Sequence, residues 1–170
     1  MAPKVPAAQA GRTRRADALR NQQTLLDAAA AVFLRAGVDA PVREIAAEAG
    51  VGMGTLYRHF PTRADLVVAV FRHQLDSLSS REVIVPALSE DPYGALRSWV
   101  HRFADFLVTK HGLARALRSD QAGFDALHAE FLERLLPVCD QLLKNAARSG
   151  VSRGDVRAVD FLHAVGNLCI

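Results

Sequence analysis

The chain has 170 residues, of which 50% are hydrophobic and 23% are charged, a composition that suits a soluble globular protein of one or two small domains. It lacks the run of roughly eighteen or more apolar residues that a membrane-spanning helix needs, and its first twenty residues lack the apolar core of a secretory signal, so we expect a cytoplasmic protein. Its two cysteines, Cys139 and Cys169, are too few for a disulfide framework, and we expect both to be reduced.

Positive charge is concentrated in the N-terminal part of the chain. Residues 1–73 carry ten Lys or Arg against six Asp or Glu, whereas residues 74–170 carry eleven against twelve. Much of the excess lies in residues 1–19, which are rich in Ala, Pro, Gly and Arg and show no apolar period. We predict a disordered basic arm over residues 1–19. Such an arm is either a contact to a polyanion or a solubilising tail.

Helical patterns begin at about residue 20. Apolar residues recur at helical spacing from Leu25 to Ala36, and Gly37 then favours the end of a first helix. A second, short helix is predicted over residues 41–50, which begin with proline and end with glycine.

A third helix is predicted between Gly52 and Phe60, because the residue before Pro61 avoids the helical region of backbone space. Two short helices joined by a tight turn that contains glycine form a helix-turn-helix pattern. The first helix would cover their apolar faces.

The remaining segments also have helical periodicity. Thr62 and Asp65 resemble a capping box at the start of a fourth helix, and Asp91-Pro92 has the order of an N-cap and a first-turn residue. The predicted elements are a helix over 63–80, a loop over 81–91, a helix from 92, a short helix over 112–119, a long helix over 123–148 kinked at Pro137, a turn over 150–154 and a last helix from Asp155. No segment alternates with period two for long enough to form a strand, so we predict an all-α fold.

The segment VGMGTLYRHFPTRADL combines glycines with hydrogen-bond donors. A helix that binds DNA must come close to phosphates and base edges, and glycine has no side chain to hold the two surfaces apart. Thr55, Tyr57 and His59 can donate hydrogen bonds to phosphate oxygens, and Arg63 adds a cation at the start of the next helix. Met53, near the start of the helix, would favour a thymine methyl group. These residue types indicate double-stranded DNA as a partner.

Residues 20–66 resemble the DNA-binding domain of TetR-type bacterial transcriptional regulators. The resemblance is carried by LLDAAAAVFLRAG, by VREIAAEAGV, and by GTLYRHF followed by proline and, two positions later, a basic residue. It implies that the third helix enters the major groove. The predicted DNA-binding residues are those that the resemblance implies together with Arg58 of the same helix: Arg43, Gly52, Met53, Gly54, Thr55, Tyr57, Arg58, His59 and Arg63. Of these, Gly52, Met53 and Gly54 would read bases. Many members carry Ser and Lys where this chain has Gly52 and Met53, so DNA shape and the basic arm would contribute to sequence choice.

Residues 67–170 resemble the regulatory and dimerisation domain of the same family. The resemblance implies a homodimer and a pocket for a small-molecule effector. The pocket candidates are Trp99, Phe103, Phe106, His128 and Phe131; aromatic residues at helical spacing are also typical of a plain core. The candidates for the dimer interface are Val156, Val159, Leu162, Val165, Gly166 and Cys169. The chain ends within this apolar strip, so we expect either a truncated chain or an interface smaller than usual.

The sequence contains no P-loop, GxSxG, HExxH or paired CxxC motif. His101 and Asp105 have i, i+4 spacing but are too few to hold a metal. We therefore expect no enzyme activity, no cofactor and no metal. The preferred interpretation is a ligand-responsive repressor released from a palindromic operator by a small molecule. An activator, a non-specific nucleoid-type DNA binder and a ligand-sequestering protein with an idle DNA-binding half remain as alternatives.

Overall fold

The computed structural model describes residues 7–80 and 91–169, with the backbone alone for residues 7–18. Within these ranges every regular element is a helix, as the sequence predicts. The seven helices are α1 (Ala7–Ala36), α2 (Val42–Glu48), α3 (Met53–His59), α4 (Arg63–Ser79), α5 (Pro92–Ala116), α6 (Gln121–Arg148) and α7 (Ala158–Leu168). None of the described helices is both long enough and apolar enough to cross a membrane.

The first three helices form a small layered unit. Helix α1 buries Leu25, Val32 and Phe33 in the same hydrophobic core as Ile45 of α2 and Leu56 of α3. It ends at Gly37, whose positive φ of 77° lets the chain turn away towards α2.

Local capping signals fix the starts of three longer helices. At α4, the Asp65 amide donates to Thr62 Oγ1 at 3.1 Å and the Thr62 amide donates to Asp65 Oδ2 at 2.9 Å, which confirms the capping box. At α5, Asp91 accepts a 2.7 Å hydrogen bond from the amide of Gly94. Asp120 and the amide of Gly123 make the equivalent bond, 2.9 Å long, at α6.

A single hydrophobic core joins the two halves of the chain. Helix α4 lies between them: Val67 and Phe71 are fully buried, and the Phe71 ring lies 5.1 Å from that of Phe106 on α5. The Trp99 indole nitrogen donates to the Leu78 carbonyl at 3.0 Å, which ties α5 to the end of α4. A movement of α4 would therefore disturb the packing of both halves of the chain.

Several predicted boundaries were wrong, among them the start of the last helix, which is Ala158 instead of Asp155. Helix α1 begins at Ala7, so residues 7–19 are helical where we expected a disordered arm; nothing in AAQAGRTRRADAL except one glycine opposes helix propagation. The expected short helix over 112–119 is the end of α5, which runs through Gly112 to Ala116. Helix α6 is continuous across Pro137. Residues 1–6 of the predicted arm and the predicted loop over 81–90 lie outside the described residues.

Candidate nucleic-acid interface

A tight turn sets the angle between α2 and α3. Gly50 has a positive φ of 65°, and its amide donates to the Ala47 carbonyl at 3.1 Å, while the Val51 amide donates to the Ala46 carbonyl at 2.9 Å. This pair of bonds is the Schellman motif, which ends a helix and reverses the chain within two residues. Helix α3 then begins at Met53, after Gly52 in extended geometry.

Helix α3 has one buried side and one exposed side. Leu56 and Phe60 are 1% and 4% exposed and pack into the core. At about 100° per residue, Gly54 and Arg58 lie on the opposite side of the helix, and both are exposed. A Cβ atom added at Gly54 would meet nothing within 4 Å. No contact within the protein therefore requires glycine at position 54. The absence of a side chain leaves this part of the outer surface of α3 bare.

Polar side chains flank this bare surface. Tyr57 is 48% exposed and Met53 is 38% exposed on one side of α3, and Thr55 is half-buried and His59 exposed on the other. Their positions agree with the sequence-based assignment to a surface that contacts DNA, although contact with phosphates and bases remains a prediction.

Two basic residues add charge to the same region. Arg43 on α2 and Arg58 on α3 are exposed, and neither has an ion-pair partner among the described residues. Glu48 on α2, in contrast, is neutralised by Arg35 of α1 at 2.8 Å. Guanidinium groups without a carboxylate partner are available for phosphates.

Arg63 is the first residue of α4, where the sequence placed it, and it makes hydrogen bonds within the protein. Its guanidinium donates to the carbonyl oxygens of Val38 and Ala40, the latter at 2.6 Å, in a half-buried site. Both carbonyls belong to the α1–α2 loop (residues 37–41). In this arrangement the guanidinium orients the loop. A phosphate contact by Arg63 stays a prediction, and it would require the guanidinium to donate to the phosphate as well as to the two carbonyls.

The α1–α2 loop also contacts the C-terminal half of the chain. A Cβ atom at Gly112 of α5 would lie 2.2 Å from Val38 Cγ1, so only glycine allows this close approach. Val38 and Gly112 are both buried. Arg115, one turn later on α5, pairs with Asp39 at 2.5 Å. The loop that precedes α2 is thus held by α4 and α5 together.

The predicted effector pocket is only partly formed by the expected residues. A cavity of about 140 Å³ lies between α5, α6 and α7, and its lining includes Phe103, His128 and Phe131. Trp99 and Phe106 do not line it. They are 1% and 0% exposed and belong to the core between α4 and α5, because their rings meet α4 rather than α7.

The predicted dimer strip on α7 does not form one continuous exposed face. Leu162 is 3% exposed and packs into the chain's own core, and Val159 and Gly166 line the cavity. The i, i+3 spacing that placed them together also directs them inward. Val156 and Cys169 are exposed.

Sequence reasoning missed Gly112 and Lys110. A glycine inside an otherwise apolar helical pattern often marks a close contact, which was the available signal for Gly112. Lys110 follows Phe103 by seven positions and Phe106 by four, so it lies on the same stripe of α5 and reaches the cavity.

Two short helices meeting at a Schellman turn, with a bare and basic outer face on the second, define a helix-turn-helix DNA-binding protein. Comparisons with known proteins agree. Residues 25–70 match the model of bacterial regulatory proteins of the tetR family, and residues 91–170 match that of the SbtR-like transcriptional regulator C-terminal domain.

Solved structures resemble most of the chain. A TetR transcriptional regulator from Streptomyces coelicolor is 36% identical, with 87% of this chain and 84% of that chain covered and a TM-score of 0.71. A TetR regulatory protein from Mycobacterium vanbaalenii is 31% identical, with 91% and 92% covered and a TM-score of 0.69. The chain belongs to the TetR family of transcriptional regulators and is a DNA-binding protein.

Curated relatives match only part of the chain. An HTH-type transcriptional regulator of Staphylococcus aureus (strain USA300) is 43% identical over 63 residues, which are 36% of this chain and 34% of that protein. The match thus spans about a third of the length of that relative.

Proposed function

We propose that the chain acts as a repressor that binds a near-palindromic DNA operator as a homodimer and is released by a small-molecule effector. The observation that carries the proposal is the geometry of α4. Its first residue, Arg63, holds the α1–α2 loop beside the helix-turn-helix. Farther along, α4 forms ion pairs with α6, which lines the cavity.

Two ion pairs join α4 and α6. Arg134 of α6 lies 2.6 Å from Asp76 of α4, and Arg72 of α4 lies 3.5 Å from Glu130 of α6. Glu130 stands between His128 and Phe131, which line the cavity. Partly exposed pairs of this kind contribute little to stability, so the two helices are coupled mainly through the hydrophobic core that they share. A ligand that displaces α6 would therefore displace α4.

The DNA-binding half would use its residues in two ways. Arg43, Thr55, Tyr57, Arg58 and His59 would contact phosphates, and residues 52–54 would lie against base edges in the major groove. Two copies of α3 would need a separation of about 34–36 Å to enter successive major grooves. An effector lowers operator affinity only if it binds the conformation with another spacing more tightly.

The test begins with an operator selected from a randomised duplex pool, whose affinity is measured by fluorescence anisotropy over a salt series. We expect a steep loss of affinity with salt, with a slope of roughly −0.9 for each phosphate contact. Arg58→Ala should reduce that slope, whereas Arg97→Ala, an exposed arginine on α5, should not. Binding that is equally strong on every duplex in the pool would refute the operator-specific regulator in favour of a nucleoid-type binder.

The division between phosphate and base contacts has its own test. Tyr57→Phe should weaken binding to all operator variants by a similar factor, because phosphates carry no sequence information. Met53→Ala should change the order of preference among variants at one position of each half-site. Identical effects of the two substitutions on every variant would contradict the assigned roles.

A further inference from the structure

We propose that the cavity between α5, α6 and α7 is a site for a short-chain carboxylate, held at one end by Lys110 and His128. This inference rests on the proposed function, because it names the chemical class of the effector. It is carried by three features of the cavity: uncompensated positive charge, an unpartnered imidazole nitrogen and an apolar remainder of limited volume.

Basic side chains line the cavity, and Lys110 is the charged one among them. Lys110, His111, His128 and His163 all contribute to the lining, and no acidic residue does among the residues that the structure describes. The Lys110 ammonium lies 5.1 Å from the centre of the Phe131 ring and forms no ion pair within the described ranges. Its partial burial removes water from the ammonium group, which opposes the positive charge.

The electrostatic consequences are visible on the neighbouring groups. Burial lowers the pKa of Lys110. Burial, and then the charge of Lys110, lower the pKa values of His111 and His128. Asp125 opposes the effect on His128, but its carboxylate is exposed and accepts a 2.7 Å hydrogen bond from Gln121. An anion in the cavity would stabilise the charged forms of Lys110 and His128, which burial disfavours.

His128 supplies an unused hydrogen-bonding atom. Its Nδ1 is buried and has no hydrogen-bond partner among the described residues. Its ring is held by stacking between Phe124, at 6.3 Å, and Phe131, at 5.7 Å, so it cannot easily turn to find one. Buried polar atoms in native proteins almost always have a partner, and a ligand oxygen would provide it when this nitrogen carries the proton.

The rest of the cavity favours a hydrocarbon body over an inorganic anion. Phe103, Leu107, Phe131 and Leu162 line it, and each is at most 4% exposed. Its volume of about 140 Å³ equals that of roughly five water molecules at ~30 Å³ each. A chain of three or four carbons with one carboxylate fits this volume and pairs one charged group and one apolar segment with a lining that contains both kinds of residue.

The experiment uses the full chain, with sodium butyrate as the probe and sodium chloride at equal concentration as the reference. Binding is measured by calorimetry and by the rise in Tm, since a ligand that binds only the folded state raises it. Acetate, hexanoate and the neutral isostere butyramide complete the series. The variants are Lys110→Met, Lys110→Arg and His128→Asn, with Lys144→Met as the control, because Lys144 is an exposed lysine of α6 paired with Asp140.

We expect butyrate to bind, butyramide to bind at least tenfold more weakly, and Lys110→Met to weaken butyrate at least tenfold. Lys110→Arg should retain more affinity than Lys110→Met, which separates loss of charge from loss of fold, and Lys144→Met should bind normally. No rise in Tm with any carboxylate, or equal binding of butyramide, would overturn the inference and leave operator binding untouched. Lysine-dependent butyrate binding without a change in operator affinity would support the site and refute the effector-release step of the proposed function.

Discussion

The contact between Gly112 and Val38 can be tested by adding one methyl group. In Gly112→Ala the new Cβ would lie 2.2 Å from Val38 Cγ1 and 2.4 Å from its Cγ2, well inside van der Waals distance. Val38 is 6% exposed and rigid at χ1, so it cannot swing aside. Alanine gains about 1 kcal/mol of helix propensity over glycine, and overpacking costs about 1–3 kcal/mol. The free energy of unfolding should therefore fall by up to about 2 kcal/mol.

Gly54→Ala is the matched control for this substitution. It also replaces a helical glycine, but its Cβ would meet nothing within 4 Å, so only the propensity gain of up to about 1 kcal/mol remains. In a chain of this size, 1 kcal/mol corresponds to about 2–4 °C in Tm. Thermal unfolding followed by circular dichroism should show Gly112→Ala below the parent protein and Gly54→Ala at or above it. Adding Val38→Ala to Gly112→Ala should recover part of the loss; if both glycine variants were stabilised alike, the contact would have no energetic role.

Three other predictions concern single residues. Arg63→Ala should lower the free energy of unfolding in urea by about 1–3 kcal/mol, because two carbonyls of the α1–α2 loop lose their donors; unchanged stability with weakened DNA binding would instead identify a pure phosphate contact. Burial raises the pKa of Cys139 to about 12, so its thiol should resist alkylation at pH 8 until urea unfolds the chain, and peptide mapping that finds it modified in the folded protein would contradict this. Burial lowers the pKa of His128 from 6.5, so the folded state should lose stability as the pH falls through 6.5, and His128→Gln should reduce that loss in urea titrations at pH 5 and 7.5.

Local signals in the sequence predicted most helix boundaries. The capping box of Thr62 and Asp65 and the Asp91-Pro92 start involve residues close in the chain, where chemistry and geometry are directly linked. Gly37 and Gly50 follow the ends of α1 and α2, as the sequence predicted, and both have a positive φ. The start of α1 was missed because the segment before residue 20 carries no stop signal, only a bias towards Ala and Arg that suits both a helix and a solvated arm.

The features that connect the two halves were not predictable from spacing. Arg63 is the first residue of the capped helix α4, and the sequence predicted that it contacts a phosphate. Its hydrogen-bond partners in the structure are carbonyls 23 and 25 residues earlier in the chain. Gly112 meets a valine from a loop more than seventy positions away. Periodicity identified the aromatic stripe of α5, but it could not separate Phe103, which lines the cavity, from Trp99 and Phe106, which pack on α4.

The hydrophobic core that runs without interruption from α1 to α7 has a practical consequence for chimeric regulators. A DNA-binding segment cut after residue 66 and joined to a foreign C-terminal domain would carry Val38 without Gly112, which accommodates it. It would also lose Val67 and Phe71 of α4, which belong to the same core. Grafts that exchange operator preference should therefore change only the solvent-facing side chains of α2 and α3, or else transfer α4 and the end of α5 together with them.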